Sequence, residues 1–187
     1  IKDLRVEYYT KKVYPDKFNI FRAFREVNID ECNAVLIGMD PYHNIYNNQP
    51  SACGLSFVTE NGFINPSLRI LSESLNINPN DFKDFMLSRK VLLLNTYLTV
   101  EQGKPGSHRN IWSKFSKMLI NKISRNRTDL NWILLGNDAK ALKSEIISGN
   151  IHYSIHPAAY IYKSQADINP NMKYKELKNV WKDLKWI

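Results

Sequence analysis

Cysteine is scarce in this chain. Cys32 and Cys53 are too few for a disulfide framework and are not at metal-motif spacing, so two free thiols and a reducing compartment are expected. Localisation is accordingly expected to be cytoplasmic, or nuclear if the source is eukaryotic. No apolar run approaches membrane-spanning length and nothing at the N-terminus resembles a signal peptide, so no membrane partner is expected. No Pro/Gly/Ser-rich linker divides the 187 residues, and one domain over 1–187 is the expectation. Internal repeats and low-complexity tracts are absent. So is a Gly-rich phosphate fingerprint after a strand, which argues against a flavodoxin-like nucleotide binder. The chain opens on Ile1 rather than Met, and upstream residues are expected to be missing.

Positive charge is plentiful. Lys and Arg number 26 against 18 Asp and Glu, and the net charge of +8 with 12% aromatic residues suits a nucleic-acid partner better than a neutral metabolite. An AT-rich gene, favouring Lys, Asn and Ile codons, explains part of this basicity. Apolar runs at 34–37, 91–94, 132–135 and 151–155 read as buried strands. Between them, helical spacing predicts helices at about 18–27, 65–75, 81–87, 111–123, 138–147 and 171–186, whereas residues 1–15 show no usable periodicity. Strands alternating with helices predict an α/β single domain with a central four-stranded parallel sheet flanked by helices on both faces.

The residues at the strand ends are more informative than the strands. Gly38-Met39-Asp40-Pro41-Tyr42-His43 places a carboxylate, a phenol and an imidazole on a loop stiffened by proline. Alone, it reads equally well as an ordinary turn with a capping Asp. Asn95 ends the second strand, and its adjacent donor and acceptor suit a nucleobase edge, although a strand-end Asn is more often a turn former. Gly136-Asn137 ends the third strand, where Gly permits either close approach of a ligand or a plain tight turn. His156-Pro157-Ala158-Ala159-Tyr160 ends the fourth. Phe57, in the apolar stretch 54–58, is a core residue or a stacking platform. Asn65-Pro66-Ser67 opens a helix whose free amides are either capped locally or take a phosphate. Lys114, Lys117 and Lys122 read as a solvated helix face. The agreement of several strand ends at one sheet edge, where α/β sheets bind ligands, outweighs any one of them.

Taken in order, these pieces resemble the family 1 uracil-DNA glycosylases over nearly the whole chain, from Val13-Tyr14-Pro15 to the final helix. Gly38-x-Asp40-Pro41-Tyr42-His43 resembles the family's water-activating loop, Gly54-Leu55-Ser56-Phe57 its base-stacking segment, and Asn65-Pro66-Ser67-Leu68 its proline-rich loop. Leu92-Leu93-Leu94-Asn95 with Leu98-Thr99-Val100 resembles the uracil-reading strand, and Ser107-His108 the segment after it. Gly136-Asn137 stands at the family's Gly-Ser turn, and His156-Pro157 opens its minor-groove intercalation loop.

The resemblance implies a monofunctional DNA repair enzyme that takes uracil from single- or double-stranded DNA by base flipping and hydrolyses its N-glycosidic bond. It implies Asp40 and His156 as catalytic residues, with Met39 (through its backbone N–H), Tyr42, Phe57 and Asn95 around the uracil. It further implies His43, Pro66, Ser67, Gly136, Asn137, Pro157, Ala158 and Tyr160 as DNA contacts. No cofactor and no metal is expected; the expected partners are uracil-containing DNA and a proteinaceous inhibitor, acting on a monomer. The rival reading is a catalytically weak DNA-binding module on the same fold, which would be favoured if Asp40 or His156 were absent.

The chain departs from the family pattern at Met39, where Gln is usual, at Cys53, where His is usual, and at Asn137 in place of Ser. The proline-rich loop is thin in proline. Ala158-Ala159-Tyr160 replaces Ser-Pro-Leu, so Tyr160 either wedges into the base stack or turns inward and leaves the enzyme dependent on single strands. Tyr162 and Lys163 are the next candidates to touch DNA.

Overall fold

The computed structural model describes residues 2–161 and 174–187, so Tyr162, Lys163 and the expected start of the last helix at 171 lie outside the described residues. In chain order the elements are α1 (Lys2–Thr10), β1 (Val13–Tyr14), α2 (Arg22–Glu26), β2 (Ala34–Gly38), β3 (Ile45–Tyr46), β4 (Gln49–Pro50), α3 (Pro66–Leu75), α4 (Phe82–Ser88) and β5 (Val91–Asn95). The chain continues through β6 (Val100–Glu101), α5 (Arg109–Asn126), β7 (Asn131–Leu135), α6 (Asn137–Lys140), β8 (Asn150–Ser154) and α7 (Lys175–Asp183). The main sheet has the order β5-β2-β7-β8, all parallel and flanked by helices, as the apolar runs require.

Val35, Leu36 and Ile37 are wholly inaccessible, as are Trp132, Ile133, Leu134 and Leu135, which is the signature of strands covered on both faces. β8 is different. Among the described residues it pairs only with β7, and it reads Asn150-Ile151-His152-Tyr153-Ser154, the mixed composition of an edge. The register sets Gly38 level with Asn95 and Leu135 level with Ser154, so the segments leaving β2, β5, β7 and β8 emerge along one edge. Because β2 connects onward to β5 on one side while β7 lies on its other side, the strand order reverses beside β2, which is where such sheets open a crevice.

Local chemistry explains several boundaries. Asn65 caps α3, its Oδ1 accepting the Ser67 N–H at 2.9 Å ahead of Pro66, and Asn76 closes the helix in the left-handed conformation. Two expectations need correction. Residues 2–10 are helical; the face that packs inward carries Leu4 and Tyr8 with Glu7 between them, which masks the apolar period. The helix expected over 138–147 is only α6 followed by a 3₁₀ turn at Ala141–Glu145. Its would-be last turn is held by tertiary partners instead: Ser124 Oγ accepts the Ile147 N–H at 3.1 Å, and Trp132 Nε1 donates to the Ser148 carbonyl at 3.0 Å. The apolar stretch at 54–58 lies over the sheet, with Ser56 N donating to the Leu93 carbonyl at 3.2 Å.

Removing core volume from the central strand should be felt in full, because nothing there can collapse into the gap. Leu36→Ala is expected to lower the unfolding free energy by about 2–5 kcal/mol in urea titration with an unchanged m-value.

Candidate active site

A cavity of about 340 Å³ opens at the edge where β2 and β5 end. Met39, Asp40, Tyr42 and His43 line it from the loop after β2, and Asn95 from the end of β5. Phe57, Pro66 and Ser67 close a second side, His156 and Ala158 a third. The structure thus gathers ten of the residues singled out in the sequence around one space. Gly136, Asn137, Pro157 and Tyr160 do not line it. Gly136 supports it from behind, since a Cβ there would sit 2.9 Å from His156 Cβ, while Asn137 is exposed at the start of α6.

Asp40 is part-buried, and Gly106 N–H donates to its Oδ2 at 2.5 Å. Burial raises its pKa above the ordinary carboxylate value; the Gly106 N–H and His43 pull the other way. Nothing in the sequence flagged Gly106, which lies 66 positions away in a polar loop. Met39 fixes the opposite side of the loop, its carbonyl accepting the Tyr97 N–H at 2.9 Å.

Gly38, Asn95 and Phe57 form the floor. A Cβ on Gly38 would lie 2.9 Å from Asn95 Oδ1 and 3.0 Å from the Phe57 ring, so only glycine lets the amide and the aromatic meet over the strand end. Phe57 is buried with φ +62°, a left-handed conformation that bulky residues rarely adopt, and such strain concentrates at functional sites. The Asn95 amide is 8% exposed and makes no side-chain hydrogen bond among the described residues, leaving its donor and acceptor free for a ligand.

His156 faces Phe57 with ring centroids 5.7 Å apart. Its Nδ1 accepts the Ala158 N–H at 3.2 Å, so the neutral ring carries its proton on Nε2. Burial lowers its pKa below the usual histidine value, with Asp138 opposing. Asp138 itself is held by Tyr97 Oη and Arg109 Nη2, each at 2.8 Å. Tyr42 packs against Tyr14, Ala52 and Val100, and its hydroxyl is buried with no hydrogen-bond partner among the described residues.

The departures have local explanations. Cys53 is buried and its thiol donates to the Val58 carbonyl at 3.4 Å. Of the two orientations open to Tyr160, the structure has the inward one: its hydroxyl is 3.2 Å from Ser154 Oγ and its ring packs edge-on against Tyr174 at 5.4 Å. The next residue, Ile161, lines the cavity mouth instead and is 49% exposed. Among the described residues no cluster of His, Cys, Asp or Glu is placed to hold a metal, and no helix is long and apolar enough to cross a membrane.

Comparison with known proteins shows the family and the fold. The family model of the uracil DNA glycosylase superfamily matches residues 24–185. A uracil-DNA glycosylase of Mesomycoplasma hyopneumoniae is 34% identical over 99% of this chain and 86% of its own. In fold, the crystal structure of mimivirus uracil-DNA glycosylase superposes with a TM-score of 0.79 at 20% identity, covering 98% of this chain and 76% of that one. A variant of the mimivirus protein in complex with UGI gives 0.76 at 18% identity, covering 98% and 78%.

The bonding of His156 can be checked in the free protein. Imidazole NMR is expected to show a neutral Nε2–H tautomer at pH 7 and a pKa below the ordinary histidine value. An imidazolium, or a proton on Nδ1, would contradict the assigned geometry.

Proposed function

From the premise that this chain belongs to the uracil DNA glycosylase superfamily and is a uracil-DNA glycosylase, we propose that the cavity binds a flipped uracil and that Asp40 and His156 divide the chemistry between them. The observation that carries this reading is the convergence of Asp40, Asn95, Phe57 and His156 on one cavity from separate segments of the chain. As the N-glycosidic bond breaks, its electron pair leaves with uracil N1 and the sugar becomes cationic. Asp40 opposes that cation and accepts the proton of the water that adds to C1′. His156 donates its Nε2–H to the uracil O2, which needs no imidazolium because the anion is delocalised.

Asn95 reads the base. Its NH₂ faces O4 and its carbonyl faces N3–H, a pattern that cytosine reverses. Phe57 stacks on the ring, Met39 offers its backbone N–H, and Tyr42 fills the space a thymine methyl would need. His43, Pro66, Ser67, Gly136, Asn137, Pro157 and Ala158 are the proposed DNA contacts, with the basic surface contributing a salt-dependent attraction. The inward packing of Tyr160 supports Ile161 as the side chain that enters the gap left by the base. The chain works as one catalytic domain and as a monomer, needs no cofactor, and is a target for a proteinaceous inhibitor of the kind seen with the mimivirus protein. Incubation with a uracil-containing oligonucleotide in EDTA, followed by alkali to cut abasic sites, tests the whole reading; no strand cleavage would sink it.

Catalysis requires Asp40 ionised, so the rate should fall as pH drops through its raised pKa, above the range of an ordinary carboxylate. Asp40→Asn should lower the single-turnover rate by about two to three orders of magnitude with DNA affinity kept, and should abolish that acid limb. A persisting limb would assign it to another group.

Only duplex DNA imposes the unpairing and unstacking cost of a few kcal/mol. Ile161→Ala is therefore expected to impair duplex substrate by about tenfold more than single-stranded substrate at one ionic strength. Tyr160→Ala should instead lower thermal stability and reduce both substrates alike. Equal losses in Ile161→Ala would remove Ile161 from the gap-filling role.

A further inference from the structure

A line of buried polar side chains runs from α1 to the loop that holds Asp40. Trp112 Nε1 donates to Thr99 Oγ1 at 2.7 Å, and Thr99 Oγ1 lies 2.7 Å from His108 Nδ1. On the far side of the ring, His108 Nε2 is 3.4 Å from Glu7 Oε2, an electrostatic contact rather than a well-angled hydrogen bond, and neither of these two buried atoms has a hydrogen-bond partner among the described residues. The direction of the line is set by chemistry. An indole N–H only donates, so the Thr99 oxygen accepts there and its own proton is free for Nδ1. An ionised carboxylate only accepts, so Nε2 must bring the proton that faces Glu7. The other tautomer would set a lone pair against a carboxylate at a residue only 2% exposed.

His108 is the last residue before α5 and closes the turn that begins at Gly103. Two positions earlier, Gly106 gives Asp40 its N–H. We propose that Glu7 is a positioning residue for the catalytic carboxylate: by holding His108 it fixes the 103–108 loop, and with it the Gly106 N–H on Asp40. This rests on the reading of Asp40 as the group that directs water. The helix α1 is thereby part of the working enzyme, although it lines no part of the cavity.

The groups involved are few. Lys11 and Glu101 also face His108, and Lys11 Nζ stands 2.7 Å from Glu7 Oε2 and 3.6 Å from Glu101 Oε2. Asp40 is faced by His43, Asp138 and Arg109 besides the Gly106 N–H, and none of these is touched by a change at Glu7. The Gly106 N–H favours the ionised form of Asp40, so its loss should raise the Asp40 pKa further.

The test compares Glu7→Ala, Glu7→Gln and Leu4→Ala by two readouts: carboxyl ¹³C titration of Asp40 in the free protein, and the pH profile of single-turnover uracil release. Glu7→Ala should raise the Asp40 pKa by about half a unit or more, carry the acid limb with it and leave DNA affinity unchanged. Glu7→Gln, whose amide oxygen still accepts from Nε2–H, should restore both. Leu4→Ala removes a buried contact of the same helix and should lower thermal stability without moving the Asp40 titration. If Glu7→Ala does not fold, His108→Phe, whose ring has no donor, breaks the same contact from the other side and carries the same expectation. An unmoved Asp40 titration in the Glu7→Ala or His108→Phe protein, or an equal shift in Leu4→Ala, would overturn the proposal. If the titration moves as stated while the wild-type protein releases no uracil, the functional reading of the cavity fails and the link from Glu7 to Asp40 stands.

Discussion

The parallel pairing of β2 with β5 sets Gly38 opposite Asn95, and the rest of the cavity depends on that alignment. With no Cβ at Gly38, the Asn95 amide and the Phe57 ring close over the strand end within contact distance. A slip of one residue in this register would turn Asn95 to the other face of the sheet and put a side chain where Gly38 now leaves space for the Asn95 amide and the Phe57 ring. The inaccessible runs in β2, β5 and β7 make such a slip costly, because each would drive apolar side chains out of register with the helices that cover them. The stability of the core and the precision of the site are thus enforced by the same strands.

Burial acts on the two titratable groups of the cavity, Asp40 and His156, with opposite sign. It makes the Asp40 carboxylate harder to ionise and the His156 imidazole harder to protonate. Both shifts bring the pair toward the least charged combination; a backbone N–H aimed at Asp40 opposes the first, and Asp138 opposes the second. For His156 the low-dielectric setting favours the neutral imidazole, which can still donate a hydrogen bond from Nε2. The Ala158 N–H secures the tautomer without adding charge.

The sequence made legible those parts in which a local pattern and a tertiary outcome coincide. Unbroken apolar runs announced β2, β5 and β7, and the polar residue after each run announced the binding edge. Asn65 before Pro66 announced the start of α3. Where a polar group does structural work inside the fold, legibility was lost: Glu7 interrupts the apolar face of α1, so a helix of nine residues read as featureless. The segment after α6 was misread because Ser124 and Trp132, distant in sequence, take the hydrogen bonds that a longer helix would have made for itself. Gly106 could not have been found at all, as its partner is fixed only by the closed fold. For Tyr160 both orientations satisfied the sequence, and Ser154 with Tyr174 decided between them.

The Tyr42 hydroxyl is shut away among Tyr14, Ala52 and Val100 with nothing among the described residues to receive it. A desolvated hydroxyl left in this way costs about 1–3 kcal/mol relative to a group of the same shape without it. A phenylalanine would keep the packing and escape that penalty, so selection for robustness alone would drive the position toward Phe. An effort to make this scaffold more heat-resistant would find a gain at a residue that also lines the cavity, so a stabilised variant would carry its change into the wall of that cavity.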